Sequence, residues 1–408
     1  MVRLRFPGLC ALVFMMALLL CSARAYAQEA SPAADEDNIL DSIDAWVGAN
    51  IVAPLSTVLF YPVPVLPGEA TDDRAVAIPL VVTILVFGGI FFTLRYNFVN
   101  VRLFRHSFDV IRGRYDRPGD TGEVSHFKAL TSALSGTVGL GNIAGVAVAI
   151  SLGGPGAVFW MWMTAIFGMT LKYSECTLAN MYRHVNEDGR VLGGPMMYLE
   201  RGLPEIHPAL KPVGKFLAVL FAVLAIFAAF GGGNLFQSNQ TVTLVLTQFT
   251  DDPNNGVLRV LLGSVLAFLV GIVIIGGIGR IGEVSSRLVP TMCAGYSLVC
   301  LWIIGANIAE VPHMFATIFA GAFSPEAGFG GFIGVLVQGM RRAAFSNEAG
   351  LGSAAIAHAA AKTNEPIREG VVALAEPFID TICVCTMTAL AILATQVHTT
   401  DVEAGIPM

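Results

Sequence analysis

Stretches of 20 to 43 residues without Asp, Glu, Lys or Arg recur along the chain, and six of them read as candidate spans. They are Ala75 to Leu94, Ala129 to Leu171, Phe216 to Thr250, Val260 to Gly279, Leu288 to Ala309 and Thr381 to Thr400. About 20 apolar residues in a helix cross the hydrocarbon of a bilayer, so each stretch is long enough to be a span. The 43-residue run holds two, and Gly153-Gly154-Pro155-Gly156 supplies the turn between them. The Phe216 run of 35 residues is too long for an upright span and reads as one tilted or broken helix. The last span starts earlier, near Val371, and takes in Glu376, Pro377 and Asp380. Gly331 to Ala361 also has the length of a span, interrupted by Arg341, Arg342 and Glu348, which makes eight in all. Composition agrees. Of 408 residues only 13% are charged, against about a quarter in ordinary globular chains, which disfavours a soluble enzyme. A net charge of −6 offers no surface to a polyanion and excludes nucleic-acid binding. Seven cysteines lie in apolar stretches without metal-ligand spacing, and the Cys383-x-Cys385 pair reads as packing.

The first 27 residues are of another kind. Arg3 and Arg5, an apolar core from Ala11 to Leu20 and Ala25-Tyr26-Ala27 have the layout of a secretory signal peptide with its cleavage site. After cleavage, residues 28–74 form an extracytoplasmic segment beginning with acidic Asp35-Glu36-Asp37, in which Ile39 to Phe60 reads as an amphipathic helix on the outer surface. Alternating from there, the inner loops collect 17 of the 24 Lys and Arg residues and the outer segments two. That is the asymmetry expected of cytoplasmic loops.

Two spans contain glycine and polar residues where a lipid-facing helix has neither. One reads Gly136-Thr137-Val138-Gly139-Leu140-Gly141-Asn142-Ile143-Ala144-Gly145, the other Phe345-Ser346-Asn347-Glu348-Ala349-Gly350-Leu351-Gly352-Ser353. Each holds Gly-Leu-Gly followed by a small amide or hydroxyl, and by the charge count they cross in opposite directions. Matching glycine-rich breaks are the sequence pointer to a secondary transporter built from inverted repeats. Unwinding a helix inside a bilayer frees N–H and C=O groups that each cost several kcal/mol in hydrocarbon, so something polar must fill the break. Freed carbonyls with the Thr137 and Asn142 oxygens suit a hard cation, and freed amides at positive helix ends suit a carboxylate. The competing reading is packing alone, since Gly141 and Gly145 also form a GxxxG contact motif. Gly139 to Ala144 and Gly277 to Gly282 match dinucleotide-binding patterns, but neither has the βαβ context that would give the match meaning.

Ser135 to Trp162, Gly193-Gly194-Pro195-Met196, Gly233 to Asn239, Phe345 to Thr363 and Glu376-Pro377-Phe378-Ile379-Asp380-Thr381 resemble the alanine or glycine:cation symporter family, from about Leu80 to Gln396. The resemblance implies an all-α polytopic protein of the bacterial inner membrane with leucine-transporter-type inverted five-helix repeats. It implies uptake of alanine or glycine coupled to sodium, or to protons, with no resident cofactor and no enzymatic activity. On this chain that layout gives an extra N-terminal helix at 75–98, a first repeat of five helices at 125–309, and the start of a second, with two helices, at 331–408. The resemblance implies that the backbone around Gly139 and Gly141, Gln237 and the region of Phe345 line the amino-acid site; with the polar groups of the two breaks, the candidate substrate contacts are Gly139, Gly141, Asn142, Gln237, Phe345, Ser346 and Gly350, and the candidate cation ligands Thr137, Asn142, Asn347 and Asp380. Family members often carry glycine where Ala343 stands.

The residues themselves leave alternatives. Gln237, an uncharged group in a 35-residue charge-free run, is a substrate contact or an interhelical hydrogen bond. Phe345 shapes a small pocket or packs. Asp380 is a cation ligand or the partner of a basic residue, while Glu376, a turn closer to the cytoplasm, leans to the partner. Glu348 with Arg342 is a gate or a structural pair, and His358 a packing residue or a proton relay. By the family pattern a second repeat has five spans, so three are expected beyond those present. The function expected is sodium-coupled symport of a small neutral amino acid by alternating access. The alternative is a truncated, non-transporting membrane protein that senses amino acids or associates with a complete carrier.

Overall fold

The computed structural model describes residues 61–64 and 77–396, except 251, 253–254 and 324–327, with isolated positions between 46 and 57. The signal peptide and almost all of the expected surface helix at Ile39 to Phe60 lie outside the described residues. A short antiparallel pair, β1 (Pro62–Pro64) with β2 (Ala77–Pro79), leads into α1 (Leu80–Arg95). Then come α2 (Val99–Arg102), α3 (Phe104–Ile111), α4 (His126–Thr137), α5 (Leu140–Gly153) and α6 (Ala157–Met181). A second short pair, β3 (His184–Val185) with β4 (Val191–Leu192), precedes α7 (Pro195–Ile206) and α8 (Lys211–Ala228). A π-turn at Ala229–Leu235 joins α8 to α9 (Phe236–Phe249), followed by α10 (Gly256–Ile274), α11 (Gly277–Ala306) and α12 (Val311–Ala322). The chain continues as α13 (Gly328–Asn347), α14 (Ser353–Ala359) and α15 (Pro366–Ala373), and, after a π-turn at Phe378–Cys385, α16 (Thr386–Thr395).

Among the described residues, four helical stretches are long and apolar enough to cross a membrane: Pro208–Phe249, Gly256–Ile274, Gly277–Ala306 and Pro366–Thr395. The pair α4 and α5, bent by 44°, makes a fifth if taken as one span. The boundaries follow local chemistry. Ser125 caps α4 by accepting the Lys128 N–H, and Asn255 caps α10 by accepting from Val257 and Leu258. Proline stands at the first position of α7 and α15, where its missing N–H is no loss. The expected turn at 153–156 separates α5 from α6. There a Cβ on Gly156 would collide with the backbone of Gly321 and Ala322, so glycine lets α12 close down on this turn.

Three expectations are corrected. Residues 310–330, read as an outer segment, contain α12, whose Met314, Ile318 and Ala322 are buried. Arg280 and Arg287, read as a loop between spans, lie on α11, which begins at Gly277 because only Ile275 and Gly276 separate it from α10. Lys172, counted in an inner loop, lies inside α6, which runs on to Met181.

The chain divides into two compact units, one built on Ile226–Gly276 and the other on Leu55–Ala225 and Gly277–Met408. In the first, α9 and α10 pack together, and α10 buries none of its residues, as suits a helix solvated by lipid. In the second, α6 is the hub and packs against α1, α13, α14 and α15. One apolar core gathers Val146, Ile150, Met161, Ile318 and Leu390, and another Val110, Leu130, Val289 and Val372. In a bilayer, helix association relies on close packing, so small residues line the tightest contact. Ala355 and Ala359 of α14 meet Ala179 of α6 there.

Candidate functional site

Three interruptions of helical backbone converge on one carboxylate. At the first, α4 ends at Thr137, Val138 turns to extended backbone, and α5 restarts at Leu140. Asn142, in the first turn of α5, reaches back so that its Oδ1 accepts the Gly139 N–H at 2.8 Å. The bond satisfies one of the donors that a helix start leaves without a partner. It also fixes the amide, because its nitrogen must then point the other way. Asn142 Nδ2 lies 2.7 Å from Asp380 Oδ1 and 3.1 Å from the Asp380 carbonyl, with Ser346 Oγ at 3.2 Å.

The second interruption follows α13. Ser346, in its last turn, donates its hydroxyl to Asp380 Oδ2 at 2.8 Å. Asn347 ends the helix by accepting the Ala349 N–H at 3.0 Å and donating to Thr381 Oγ1 at 3.2 Å. Glu348, Gly350 and Gly352 then take positive φ before α14 begins. The third interruption is the π-turn Phe378–Cys385, which carries Asp380 itself. Such turns recur at functional sites because they loosen the backbone hydrogen-bond ladder. Thr381 adds a third donor to the Asp380 carboxylate at 2.8 Å.

Asp380 is completely buried, all its side-chain donors are neutral, and among the described residues it forms no ion pair. The expected alternative, a basic partner for Asp380, is therefore not met. A buried carboxylate without a countercharge costs several kcal/mol, so this arrangement can accept a cation or a proton. Glu376 does have the basic partner expected of it, Lys172 Nζ at 2.9 Å.

The other sequence candidates fall into place as follows. Gly141 brings α5 against α13, with Ser346 Cα 3.4 Å from where its Cβ would be. Thr137 is buried and donates to the Leu134 carbonyl at 3.5 Å. Asn142 and Asn347 both spend their side-chain oxygens on backbone N–H groups, so each serves this site as a donor. Phe345 is half exposed, and Gly350 faces Leu85 and Leu171. Gln237 belongs to the Ile226–Gly276 unit, half-buried on α9, where its carbonyl accepts from Thr241. The Glu348 to Arg342 pair does not form. With Glu348 in a left-handed bend, its carboxylate turns onto the start of α14 and accepts from Ser353 Oγ.

Sequence reading missed a second group of buried charges. Lys172 of α6 stands between Glu175 and Glu376, while His358 of α14 and His126 of α4 both bond Glu369 of α15. His358 is thus neither a lone packing residue nor on the periphery, being completely buried between two glutamates. A signal was present, since Glu369 and Glu376 stand two helical turns apart and so share a face. Lys172 and Glu175, three apart, directly follow the longest charge-free run. Nearby, Arg183 binds the carbonyls of Thr121, Ala359, Ala361 and Thr363 at once.

Comparison with known proteins bears on the same residues. A family profile described as the sodium:alanine symporter family matches residues 69–408. The chain is 45% identical over 315 residues to a sodium/alanine symporter of Methanococcus maripaludis, covering 77% of this chain and 67% of that protein. It is 40% identical over 342 residues to an uncharacterized transporter of Haemophilus influenzae, covering 83% and 71%. It is 39% identical over 326 residues to a putative sodium/proton-dependent alanine carrier protein of Bacillus subtilis, covering 80% and 63%. The chain thus spans about two thirds of the length of the relatives it matches. The profile takes in both helix breaks and the π-turn that holds Asp380, and with this extent of match the chain belongs to the sodium:alanine symporter family, whose members are transporters and not enzymes.

Proposed function

We propose that the chain carries a small neutral amino acid, alanine or glycine, across the membrane together with sodium or a proton, by alternating access. The observation that carries this reading is Asp380, a fully buried carboxylate gripped only by neutral donors, where two broken helices meet. A cation is the partner that completes it. Ser346 and Thr381 hydroxyls already touch the carboxylate and have lone pairs to offer a hard ion, and Thr137 lies at the end of the first break.

The amino acid then binds beside the cation, its carboxylate against the first N–H groups of α5 around Gly139 and Gly141. Phe345, Ser346 and Gly350 line the other break. The two breaks serve as the corresponding points of two inverted repeats, at 125–309 and from 331, which rock against each other between outward and inward states. A membrane potential of about 100 mV supplies roughly 2.3 kcal/mol per charge. A tenfold sodium gradient adds about 1.4 kcal/mol. One cation can therefore sustain a gradient of several hundredfold. The inner membrane of a bacterium, with the charge-rich loops inside, is the location this reading supports.

The test is uptake of labelled alanine into proteoliposomes with an inward sodium gradient. Uptake that falls when choline replaces sodium, or that follows an imposed pH gradient, supports coupling. Equal uptake in both buffers with no pH dependence would overturn it.

A further inference from the structure

Seven side chains form a file that starts at the surface and ends on the second helix break. Asp116, half exposed, places Oδ1 3.5 Å from His126 Nε2, and His126 Nδ1 bonds Glu369 Oε2. Glu369 Oε1 meets His358 Nδ1 at 2.6 Å, and His358 Nε2 faces Glu376 Oε2 at 3.7 Å. Glu376 Oε1 lies 2.9 Å from Lys172 Nζ, which lies 3.7 Å from Glu175 Oε1. Glu175 Oε2 accepts the Gly352 N–H at 3.0 Å. Every member after Asp116 has its side chain at most 7% exposed.

Three links of this file are open and the others are closed by hydrogen bonds. Four buried polar atoms lack a hydrogen bond among the described residues: His126 Nε2, His358 Nε2, Glu376 Oε2 and Glu175 Oε1. Each faces the next member across 3.5 to 3.7 Å. Both imidazoles have a carboxylate opposite each nitrogen, and only an imidazolium can donate from both. Charge balance agrees. With both histidines protonated, three cations meet the three glutamates, whereas with both neutral Lys172 alone must offset them in a buried site.

The surroundings do not supply that charge. Arg368 faces His126, but Asp120 and Glu365 bind it at 3.4 and 3.0 Å. Arg183 faces Glu369 and Asp120. Cys176 and Tyr198 face Glu175, and the next carboxylate beyond Glu376 is Asp380, which belongs to the cation site.

We propose that this file is a proton-binding site, filled from the Asp116 end, whose occupancy sets the hold of Glu175 on Gly352 and so the bend between α13 and α14. A hydronium ion at the Asp116 mouth gives its proton to the His126 Nε2 lone pair and leaves as water. The imidazolium passes its Nδ1 proton to Glu369 Oε2, a half-turn of that carboxyl presents the proton to the His358 Nδ1 lone pair, and a second proton from solvent refills His126. Lys172, shared between Glu376 and Glu175, passes on the change in charge at His358 electrostatically. Gly352 suits such a readout because its φ of +86° and the crowding of Pro195 and Phe221 around it leave no room for a side chain.

The test uses the full chain in lipid nanodiscs, with 15N-labelled histidine and glycine, followed by NMR from about pH 5 to about pH 9, the range in which imidazoles commonly titrate. His126→Gln and His358→Gln assign the two imidazoles, and with 13C-carbonyl leucine added the carbonyl-coupled signal lost in Leu351→Ile assigns the Gly352 amide. Both imidazoles are expected to change protonation state in this range, with the Gly352 amide moving at the same midpoint. In Glu175→Gln the amide no longer follows pH, and Asp116→Asn lowers the proton affinity of His126 by about tenfold. Imidazoles that keep one protonation state throughout, or a Gly352 amide that stays fixed while they titrate, would overturn the proposal. Should a glutamine variant fail to fold, Asp116→Asn at the exposed mouth carries the test alone, and an unmoved His126 midpoint refutes it. No arm measures uptake, so the outcome is independent of the transport reading.

Discussion

Asn142 places its amide nitrogen 2.7 Å from an Asp380 carboxylate oxygen, joining residues 238 apart in sequence. The bond ties the first helix break to the π-turn, yet it brings no positive charge to a buried acid. Asp380→Asn therefore removes a charge that no described side chain compensates. Without sodium the variant should be as stable as the parent or more so, since an unpaired buried charge is itself costly. With sodium the two diverge. A ligand at a hundred times its Kd stabilises by about 2.7 kcal/mol, so the parent melts higher in sodium than in choline while the variant does not. Thermal unfolding of detergent-solubilised protein in the two salts checks this, and a sodium response retained by the variant removes Asp380 from the cation site.

Lys172 presents the opposite case, a buried cation between two buried acids at 2.9 and 3.7 Å. Lys172→Met strands Glu376 and Glu175 in a buried site and should cost about 3 to 5 kcal/mol, as does breaking other buried pairs. Adding Glu376→Gln to the same chain removes one stranded charge and should recover part of the loss. Unfolding midpoints of the single and double variants give the comparison, and a double variant no better than the single would mean that Lys172 acts through packing.

Lys172 also shows how far the sequence was legible. Charge-free runs overlap the apolar helices at Pro208–Phe249, Gly256–Ile274, Gly277–Ala306 and Pro366–Thr395, and Gly-Leu-Gly marks both breaks, because a bilayer tolerates neither charge nor freed backbone without a reason. The same rule misled where charges are buried in pairs. It assigned Lys172 and Glu175 to a loop and started the last span near Val371, when α15 begins at Pro366 and buries Arg368 and Glu369. Only the fold brings His126, His358 and Glu369 together, as they come from α4, α14 and α15. Likewise α12 escaped because its burial comes from fitting over the glycine turn at 153–156, a contact that hydropathy does not record.

Arg183 is predicted to be a structural knot outside the spans. Its guanidinium reaches four carbonyls and the Asn180 side chain, fastening the end of α14 to the segment before α4. Burial lowers its pKa, opposed by Glu369 and Asp120. Arg183→Lys keeps the charge but loses the planar fork, so that at least two of these bonds are lost. Bonds to charged groups contribute about 1.5 to 3 kcal/mol each, which gives an expected loss of about 3 kcal/mol or more. Chemical denaturation of the two proteins reads the difference, and equal midpoints would show that an ammonium replaces the fork.

Gln237 offers the sharpest separation of substrate from cation. It stands on α9, just after the Ala229–Leu235 π-turn, in the unit that does not contain Asp380. If its amide contacts the charged ends of an amino acid, Gln237→Ala removes a hydrogen bond of about 1.5 to 3 kcal/mol, or roughly 10-fold to 100-fold in alanine affinity. If it only bridges helices, the loss is nearer 0.6 kcal/mol and falls on stability instead. Calorimetric titration with alanine in saturating sodium, alongside the sodium-dependent melting shift, distinguishes these outcomes. The expected result is weakened alanine binding with the sodium shift intact, because Gln237 is not among the groups that bond Asp380. Unchanged alanine affinity with a lowered melting temperature would assign Gln237 to helix packing and leave Phe345, Ser346 and the α5 amides as the substrate contacts.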